Sequence, residues 1–344
     1  MGVLNALTLM EEAEATLAEE GVGGGIGGIS RAEMLGMARR NADRLQQALV
    51  TLLDLAALES GTYHVRLREV DVARLLEARI SSMERALALR EIRVLRPDRG
   101  KPCVILGDAQ KLCRALDLCI QIVATRARHG SPFELRVGHS RLELLFELPP
   151  EGIEAWDQAW GEAEGASGQS AFSGVLRSEQ EFLTRVEEGL GSELVLVHQI
   201  LQRHDGAFTC ARPQADHVAL TLTWPELSSE DALRAVLTSR AYEVSTELAS
   251  VALALIRVPS GRKAEAFCRE LKAHLFRSSD AAYALPERGE VALVLDDCRP
   301  GDAPGIVKRL EKALGIPLRF SSAHCPEDAQ DPAALIELAQ GRMK

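Results

Sequence analysis

The sequence lacks several features that would assign it to a functional class at once. Its seven cysteines form no C-x-x-C pair and are odd in number, which disfavours both a disulfide framework and a zinc site. No apolar run approaches the roughly 18 residues that span a bilayer, and the N-terminal stretch is acidic, unlike a targeting segment. We therefore expect a reduced, cytoplasmic protein without a membrane association.

An excess of positive charge is lacking as well. The chain has 40 Lys and Arg against 50 Asp and Glu, a net charge of -10. Binding to nucleic acid depends on clustered basic side chains that neutralise phosphates, so no nucleic-acid partner is expected. The length of 344 residues and the 46% share of hydrophobic residues predict two or three folded domains.

The most regular pattern in the chain is an apolar stripe with alternating spacings of four and three residues, which is typical of a helix that packs along another helix. Its members are Ala38, Ala42, Leu45, Leu49, Leu52 and Ala56. A second amphipathic helix is predicted upstream, with an apolar face made of Val3, Leu7, Met10 and Leu17. The two helices predict a hairpin over residues 1–64 that dimerises into a four-helix bundle.

A glycine-rich stretch at residues 21–30 joins the two predicted helices. It lacks the Lys-Ser/Thr pair of a phosphate-binding loop and follows no predicted strand, so we expect a flexible turn.

Residues 65–226 alternate between strand and helix patterns. Strands are expected at residues 64–70, 91–97, 103–107, 133–138, 142–148 and 217–224. Helices are expected after Asp71, Asp108 and Gly191, with Asp71 as an N-cap. Helices on one face of a mixed sheet would give a two-layer α/β sandwich.

A third unit is expected over residues 227–344, after a boundary at Pro225 and the Ser-Ser-Glu run. Its elements follow the order β-α-β-β-α-β with a final helix, which predicts a ferredoxin-like sheet with helices on one face. The chain as a whole is therefore expected to be α+β.

Three stretches carry a resemblance to sensor histidine kinases. Residues 41–80 resemble the second helix of the dimerisation and phosphotransfer domain together with its link to the ATP-binding domain. Residues 107–127 and 189–206 resemble two segments of that ATP-binding domain. In the third unit, residues 247–343 resemble a shortened GGDEF domain, the diguanylate cyclase fold. The resemblance implies a homodimer in a bacterial two-component or related pathway.

The histidine-kinase resemblance also implies where the nucleotide would bind. Most of the residues that bind Mg²⁺ and adenine in the family are missing at those positions. The two asparagine positions of the family, the second of which binds Mg²⁺, fall on Leu118 and Ile122, which offer no oxygen ligand. The aspartate that binds the adenine amino group falls on Leu148, and a glycine of the same motif falls on Pro150. An adenine amino group buried without a partner would cost about 1 to 3 kcal/mol.

What remains of the nucleotide site is weak. Gly189 and Gly191 keep the family's Gly-Leu-Gly element at a helix N-terminus, a vestigial anion site at most. Residues 155–182 occupy the place of the mobile ATP lid, and their Gly, Ser, Ala and acidic composition predicts a flexible loop. We therefore expect no cofactor and no metal.

The phosphoaccepting histidine of the family lies in a His-Glu/Asp-x-x-x-Pro-Leu segment of the first helix. The first histidine of this chain is His64, beyond both predicted helices. The residues from Met1 onward look like the stretch immediately after that segment. The histidine is therefore lost, or it lies upstream in a longer chain, and the sequence leaves both open.

The cyclase chemistry is missing too. The Gly-Gly-Asp-Glu-Phe hairpin falls on residues 287–291, where Glu287 and Arg288 replace the glycines that let backbone approach the nucleotide. Arg277 and Asp280 spell an Arg-x-x-Asp pattern, which we interpret as part of the fold. Asp296 and its neighbour Asp297 end a strand and are expected to cap or solvate a loop.

Two histidines in the helix after Gly191 could be considered as metal ligands. His198 and His204 are six residues apart and do not share a helix face, so structural roles are expected.

These observations favour a catalytically inactive histidine-kinase-like scaffold that homodimerises and binds a protein partner. The partner would be a response regulator, a kinase, or a polarity or cytoskeletal factor, and residues 45–59 are its expected docking site. The alternative is a divergent ATP-binding kinase or phosphotransfer protein whose phosphoaccepting histidine lies upstream. A third reading, a sensor that binds a cyclic dinucleotide without making it, has less support in the sequence.

Overall fold

The computed structural model describes residues 31–60, 63–96, 103–165, 190–247, 250–277 and 279–343. The predicted first helix with Val3, Leu7, Met10 and Leu17, the glycine turn at residues 21–30, and Gly189 lie outside the described residues. Among the described helices, none combines the length and apolar character that a bilayer span requires.

The first described helix, α1 (Arg31–Glu59), has one buried end and one uncovered face. Leu55 and Leu58 are buried near its C-terminus, where α1 packs against a later helix. Leu49 and Leu53 are 59% and 62% exposed, so an apolar surface is uncovered in a single copy of the chain.

The described side chains of the predicted stripe are not fully buried within one copy of the chain. Ala38 and Leu49 are exposed, and Ala42, Leu52 and Ala56 are half-buried, while the side chain of Leu45 is not described. Dimerisation along this stripe stays a prediction.

The next unit contains helices and strands that surround one hydrophobic core. They are β1 (Arg68–Asp71), α2 (Val72–Ala88), β2 (Arg93–Leu95), β3 (Val104–Gly107), α3 (Ala109–Arg126), β4 (Pro132–Val137), β5 (Arg141–Glu147), α4 (Ile153–Gly165), α5 (Leu190–Gln202), β6 (Ala207–Gln214) and β7 (His217–Thr223). Five strands form a sheet in the order β2-β4-β5-β7-β6, in which the β2–β4 pair is parallel and the other pairs are antiparallel. Strands β1 and β3 form a separate antiparallel pair.

Alternation along the central strand β5 explains the layering of this unit. Leu142, Leu144 and Phe146 are buried in the core that the helices share, while Arg141 and Glu143 lie on the opposite face and pair with each other. The result is a mixed sheet with helices packed on one face, as the sequence predicts.

Helix α2 starts at the N-cap that the sequence predicts. The Asp71 carboxylate accepts hydrogen bonds from the backbone N–H groups of Ala73 and Arg74. Asp108 caps α3 in the same way, through Gln110 and Lys111.

One expectation for this unit is wrong, and one strand was not predicted. Residues 155–165, predicted to be part of a flexible lid, belong to α4, and Trp156 is only 1% exposed. Trp156, Ala159, Trp160 and Ala163 form an apolar stripe with helical spacing, which outweighs the glycine and acidic content. The remaining lid positions, 166–182, lie outside the described residues. Strand β6 was not expected, and it completes the sheet edge beside β7.

The third unit begins with a helix that was not expected and continues in the predicted element order. Its elements are α6 (Ser229–Glu247), β8 (Val251–Arg257), α7 (Ala264–Ala273), β9 (Ala281–Leu285), β10 (Glu290–Asp296), α8 (Asp302–Leu314), β11 (Phe320–Cys325) and α9 (Pro332–Arg342). The strands form an antiparallel sheet in the order β11-β8-β10-β9.

The expectation that helices cover one face of this sheet is wrong. Ala252 and Ile256 of β8 share a core with α7 and α8, while Val251 and Leu253 share a different core with α6 and α9. The continuous apolar run of β8 is the sequence signal for a strand buried on both faces.

Candidate functional site

The helix α3 carries the two positions where the histidine-kinase resemblance expects Mg²⁺ chemistry. Leu118 and Ile122 lie one turn apart, and both are 0% exposed in the core between the sheet and the helices. Asp117, the nearest carboxylate in the sequence, pairs with Arg79 of α2 at 2.6 Å from Arg79 Nε. Within the described residues, no group of three or more His, Cys, Asp or Glu side chains is arranged to hold a metal ion.

The position where the histidine-kinase resemblance expects the adenine-binding aspartate is also occupied by hydrocarbon. Leu148, directly after β5, is 1% exposed, and its backbone N–H donates to the carbonyl of Asp216 at 2.7 Å. Pro150 opens a short 3-10 turn that leads into α4. A leucine side chain at this place excludes the polar contact that would recognise adenine.

Helix α4 covers this region of the core from the side where a mobile lid was expected. It packs against α5, which in turn packs against α3. The Trp156 ring meets the Phe146 ring edge-on with 5.6 Å between centroids, and Trp160 meets Phe208 similarly at 5.5 Å. Leu118, Ile122, Leu148 and Trp156 therefore belong to one continuous hydrophobic core.

The N-terminus of α5 carries an acid where the vestigial anion site was expected. Glu193 lies in the first turn, and burial raises its pKa to about 7, although Arg126 and Arg114 act to lower it. A carboxylate at this end already interacts with the helix dipole and would repel a phosphate whenever it is ionised. Gly191 lies in the same turn, half-buried.

His204 has a structural role. Its Nδ1–H donates to the carbonyl of Ile200 at 2.7 Å, and its Nε2 accepts from the backbone N–H of Asp108 at 3.0 Å. Burial lowers its pKa, so the ring is neutral and ties the end of α5 to the start of α3. A Cβ on Gly107 would lie 2.6 Å from Leu112 Cδ1, which explains the glycine at this contact.

The turn at residues 286–289, where the resemblance to GGDEF domains expects the nucleotide-binding hairpin, joins β9 and β10. Glu287 and Arg288 lie in a 3-10 turn that ends at Gly289 with φ 61°. Arg288 pairs with Glu230 of α6 at 2.6 Å, and the buried Glu290 lies 3.6 Å from Arg257. These side chains make structural contacts at the place where the family's glycines would receive a nucleotide.

A cavity of about 710 Å³ lies between α8 and the loop that follows α7. Leu275, Ile306 and Leu310 form apolar walls, and Arg309 is also part of the lining. The Phe276 side chain is 83% exposed, with the Arg309 guanidinium 5.2 Å from its ring centroid.

An adjoining cavity of about 450 Å³ shares Phe276, Asp280 and Arg309 with the first and extends to Arg277. The structure thus brings Arg277 and Asp280 together with Arg309. The sequence alone does not predict that Arg309 lies beside this pair. The only available signal was the spacing of Ile306, Arg309 and Leu310 along one side of α8.

The expectation that Asp296 solvates a loop is wrong. Its side chain is 15% exposed and lies 2.9 Å from Arg68 Nη1 and 3.0 Å from Arg240 Nε. Glu243 lies 3.0 Å from Arg240 and 3.6 Å from Arg68. We call Arg68, Arg240, Glu243 and Asp296 the linker cluster. Burial raises the pKa of Asp296, whereas Arg240 and Arg68 oppose that rise.

Comparison with solved structures finds histidine kinases. The Acinetobacter baumannii histidine kinase AdeS is 13% identical with a TM-score of 0.39, over 65% of this chain and 98% of that chain. Full-length ShkA in complex with AMPPNP is 13% identical with a TM-score of 0.39, over 62% of this chain and 46% of that chain. The cytoplasmic segment of histidine kinase QseC is 10% identical with a TM-score of 0.33, over 47% of this chain and 79% of that chain.

At identities of 10 to 13% and TM-scores below 0.5, nothing about the activity of this chain follows from the likeness. No protein-family model matches the chain, and no curated protein matches it either.

Proposed function

We propose that this chain is a histidine-kinase-like signalling protein that has lost its nucleotide chemistry and serves as a homodimeric scaffold for a protein partner. The observation that carries the proposal is the filling of the nucleotide region. Leu118, Ile122 and Leu148 are buried in one core, and α4 packs Trp156 into the same core. Nucleotide would have to displace well-packed hydrocarbon without gaining an oxygen ligand for Mg²⁺ or an acceptor for adenine.

Isothermal titration of the full chain with ATP and Mg²⁺ tests the loss of nucleotide chemistry, with a nonhydrolysable analogue as the control for turnover. We expect no binding heat at millimolar nucleotide. Binding with a micromolar Kd would correspond to about -8 kcal/mol and would overturn the scaffold proposal. It would favour the alternative, a divergent ATP-binding kinase or a phosphotransfer protein with an upstream histidine.

The homodimer is proposed from the uncovered apolar face of α1. Leu49 and Leu53 would be buried between two copies in a helical bundle, and such burial stabilises by about 1.5 to 3 kcal/mol for each fully buried side chain. The double variant Leu49→Glu, Leu53→Glu should shift the sedimentation coefficient toward that of a monomer. Leu89→Glu, at an 83% exposed leucine outside this helix, is the matched control and should sediment like the native chain. A monomeric native chain would overturn this part of the proposal.

The partner is proposed to dock on residues 45–59 of α1. Candidate partners are a response regulator, a kinase, or a polarity or cytoskeletal factor of a bacterial two-component or related pathway. A panel of purified receiver domains tests the first class directly. Binding that is lost in the dimeric chain when an exposed position of this segment is changed would support the assignment, and no binding by any receiver domain would exclude that class at the concentrations used.

A second candidate function is favoured by the cavity in the third unit. Arg277, Asp280 and Arg309 line one space, and Phe276 offers an exposed aromatic ring beside it. Guanidinium groups bind phosphates and an aromatic ring stacks on a base, which favours a cyclic dinucleotide bound without turnover. Asp297 and Asp302 also line the cavity, and their carboxylates would oppose an anionic ligand.

Titration with cyclic di-GMP tests this second candidate. Binding that weakens roughly tenfold or more in Arg309→Ala but not in Lys308→Ala would support it. The reason is that Arg309 is expected to make a charged hydrogen bond to a phosphate of the ligand. Lys308 is the adjacent exposed cation and does not line the cavity. Absence of binding at millimolar ligand would remove the candidate.

A further inference from the structure

The segment that connects α1 to the ATPase-like unit is contacted by the third unit along most of its length. We call this segment, residues 63–71, the linker. The Ser239 hydroxyl of α6 donates to the carbonyl of Val65 at 3.1 Å and accepts from the N–H of Leu67 at 3.0 Å. The Tyr242 hydroxyl is hydrogen bonded to His64, and the two rings are 3.8 Å apart between centroids. Side chains of helix α6 thus bind both the backbone and the side chains of the linker.

Charged side chains extend this contact toward β1. Arg68 lies between Asp296 at the end of β10 and Glu243 of α6. Glu69, on the opposite face of the strand, pairs with Lys272 of α7. Arg240 is only 3% exposed and the two carboxylates are 15% exposed, whereas Arg68 is 32% exposed, so the linker cluster is buried at Arg240 and reaches water at Arg68. Charges in such a setting are costly to separate, which restricts the linker to one arrangement.

Apolar contacts complete the attachment. Leu67 of the linker and Leu106 of β3 pack against the core formed by α6, α9 and the four-stranded sheet. Since β1 pairs with β3, the third unit contacts the linker and the strand that pairs with it.

The α1 side of the linker is fixed as well. Arg114 of α3 lies 3.1 Å from the Thr51 hydroxyl and 3.3 Å from the Asp54 carboxylate. Arg203 donates to the carbonyl of Leu58 at 2.9 Å. Both ends of the connection between α1 and the ATPase-like unit are therefore held by specific polar contacts.

We propose that the third unit is an intramolecular brace that sets the position of α1 relative to the ATPase-like unit, with Asp296 as its central positioning residue. The brace goes beyond the scaffold function and does not depend on whether nucleotide binds. It assigns the third unit a mechanical role in place of cyclase chemistry. Its opening requires Arg68 of the linker to separate from Glu243 and Asp296, which both belong to the third unit.

The brace is physically continuous with the cavity of the third unit. The backbone N–H of Asp296 donates to the Asp280 carboxylate at 3.1 Å, and its carbonyl accepts from Arg277. Both partners line the adjoining cavity. Occupation of the cavity would therefore act on the strand end that carries Asp296.

Hydrogen–deuterium exchange of the full chain, resolved by mass spectrometry, tests the brace. Asp296→Asn removes the charge that holds Arg68 and Arg240. Amide exchange in peptides covering residues 64–71 should become roughly tenfold faster or more, while strands β4, β5 and β7 keep their native rates. Asp297→Asn is the matched control, since Asp297 is exposed and its carboxylate is not part of the linker cluster. Unchanged exchange in the linker of Asp296→Asn would overturn the proposal.

A second variant keeps the test decisive if Asp296→Asn unfolds the chain, which would appear as fast exchange everywhere. Ser239→Ala removes the two hydrogen bonds to the linker backbone and a long contact of 3.5 Å with the Glu243 carboxylate, and it leaves the charges in place. A several-fold faster exchange confined to residues 64–71 supports the brace. Native rates in that segment would show that α6 does not restrain the linker and would overturn it.

Discussion

Arg68 and Asp296 are 228 positions apart in the chain, yet Arg68 Nη1 lies 2.9 Å from an Asp296 carboxylate oxygen. One residue belongs to the strand that follows α1, and the other ends a central strand of the third unit. Their contact joins two parts of the molecule that look independent in the sequence. It makes the stability of the linker depend on the third unit.

Substitution of Asp296 by Asn should destabilise the protein. The change leaves Arg240, at 3% exposure, with one carboxylate fewer in a buried cluster, and a loss of about 3 kcal/mol in the free energy of unfolding is expected. Urea denaturation followed by circular dichroism measures it. Asp297→Asn should differ from the native chain by less than about 0.5 kcal/mol. Equal effects of the two substitutions would contradict a buried cluster at Asp296.

Replacement of Glu193 by Gln should stabilise the protein at neutral and alkaline pH but not below about pH 4.5. The pKa of Glu193 is about 7 in the folded chain and is raised from an ordinary value of 4.5, so the folded state retains the proton more firmly than the unfolded state. The native chain therefore loses stability as pH rises from about 4.5 to about 7. At pH 8 the variant should be more stable by roughly 1 to 3 kcal/mol, and at pH 4 the difference should vanish.

Urea midpoints of the native and Glu193→Gln chains at pH 4 and pH 8 provide that comparison. Glu154→Gln serves as the control, because Glu154 is an exposed acid at the start of α4. A stability difference at Glu193 that does not vary with pH would show that its carboxyl titrates normally.

Restoring the amide side chain of the histidine-kinase family at position 122 should not restore nucleotide binding. Ile122→Asn buries an unpaired amide and leaves a cavity in the core, so a loss of about 3 to 5 kcal/mol is expected. Thermal unfolding with and without ATP and Mg²⁺ should give a lowered Tm that nucleotide does not raise. The neighbouring Gln121→Asn, on a half-buried polar residue, should leave the Tm nearly native. A Tm that rises with nucleotide in Ile122→Asn would mean that the nucleotide pocket persists.

Two glycines should respond to alanine in opposite directions. A Cβ on Gly107 would lie 2.6 Å from Leu112 Cδ1 and 3.0 Å from His204 Cδ2, so Gly107→Ala should cost about 1 to 3 kcal/mol. Nothing lies within 4 Å of a Cβ on Gly161 in α4, and Gly161→Ala should stabilise by about 0.5 to 1 kcal/mol. Differential scanning calorimetry measures both. A neutral or destabilising effect at Gly161 would contradict the helix at residues 153–165.

The elements that the sequence predicts well share a local signal. Asp71 and Asp108 precede amphipathic stretches, and side-chain capping starts a helix after each of them. The alternation in β5 and the β-α-β-β-α-β order of the third unit also follow from short-range patterns.

The elements that were predicted wrongly depend on what packs against them. Helix α4 was obscured by glycine and acidic residues, although Trp156 and Trp160 carry enough apolar surface to bury one face against α5. The second layer of helices on the third unit was missed because the run in β8 shows that both strand faces are apolar but not what covers them.

The sequence by itself determined what individual side chains can offer: Leu118, Ile122 and Leu148 supply no oxygen ligand for a metal and no acceptor for an adenine amino group, wherever they lie. Only the tertiary structure decided what the remaining charges do. Arg309 joins Arg277 and Asp280 at one cavity, and Asp296 joins Arg68 at the linker, because these contacts depend on how distant segments pack. The chemistry of a side chain depends only on its residue type. An ion pair between residues 228 positions apart forms only after the strands and helices between them have packed and brought the two partners together.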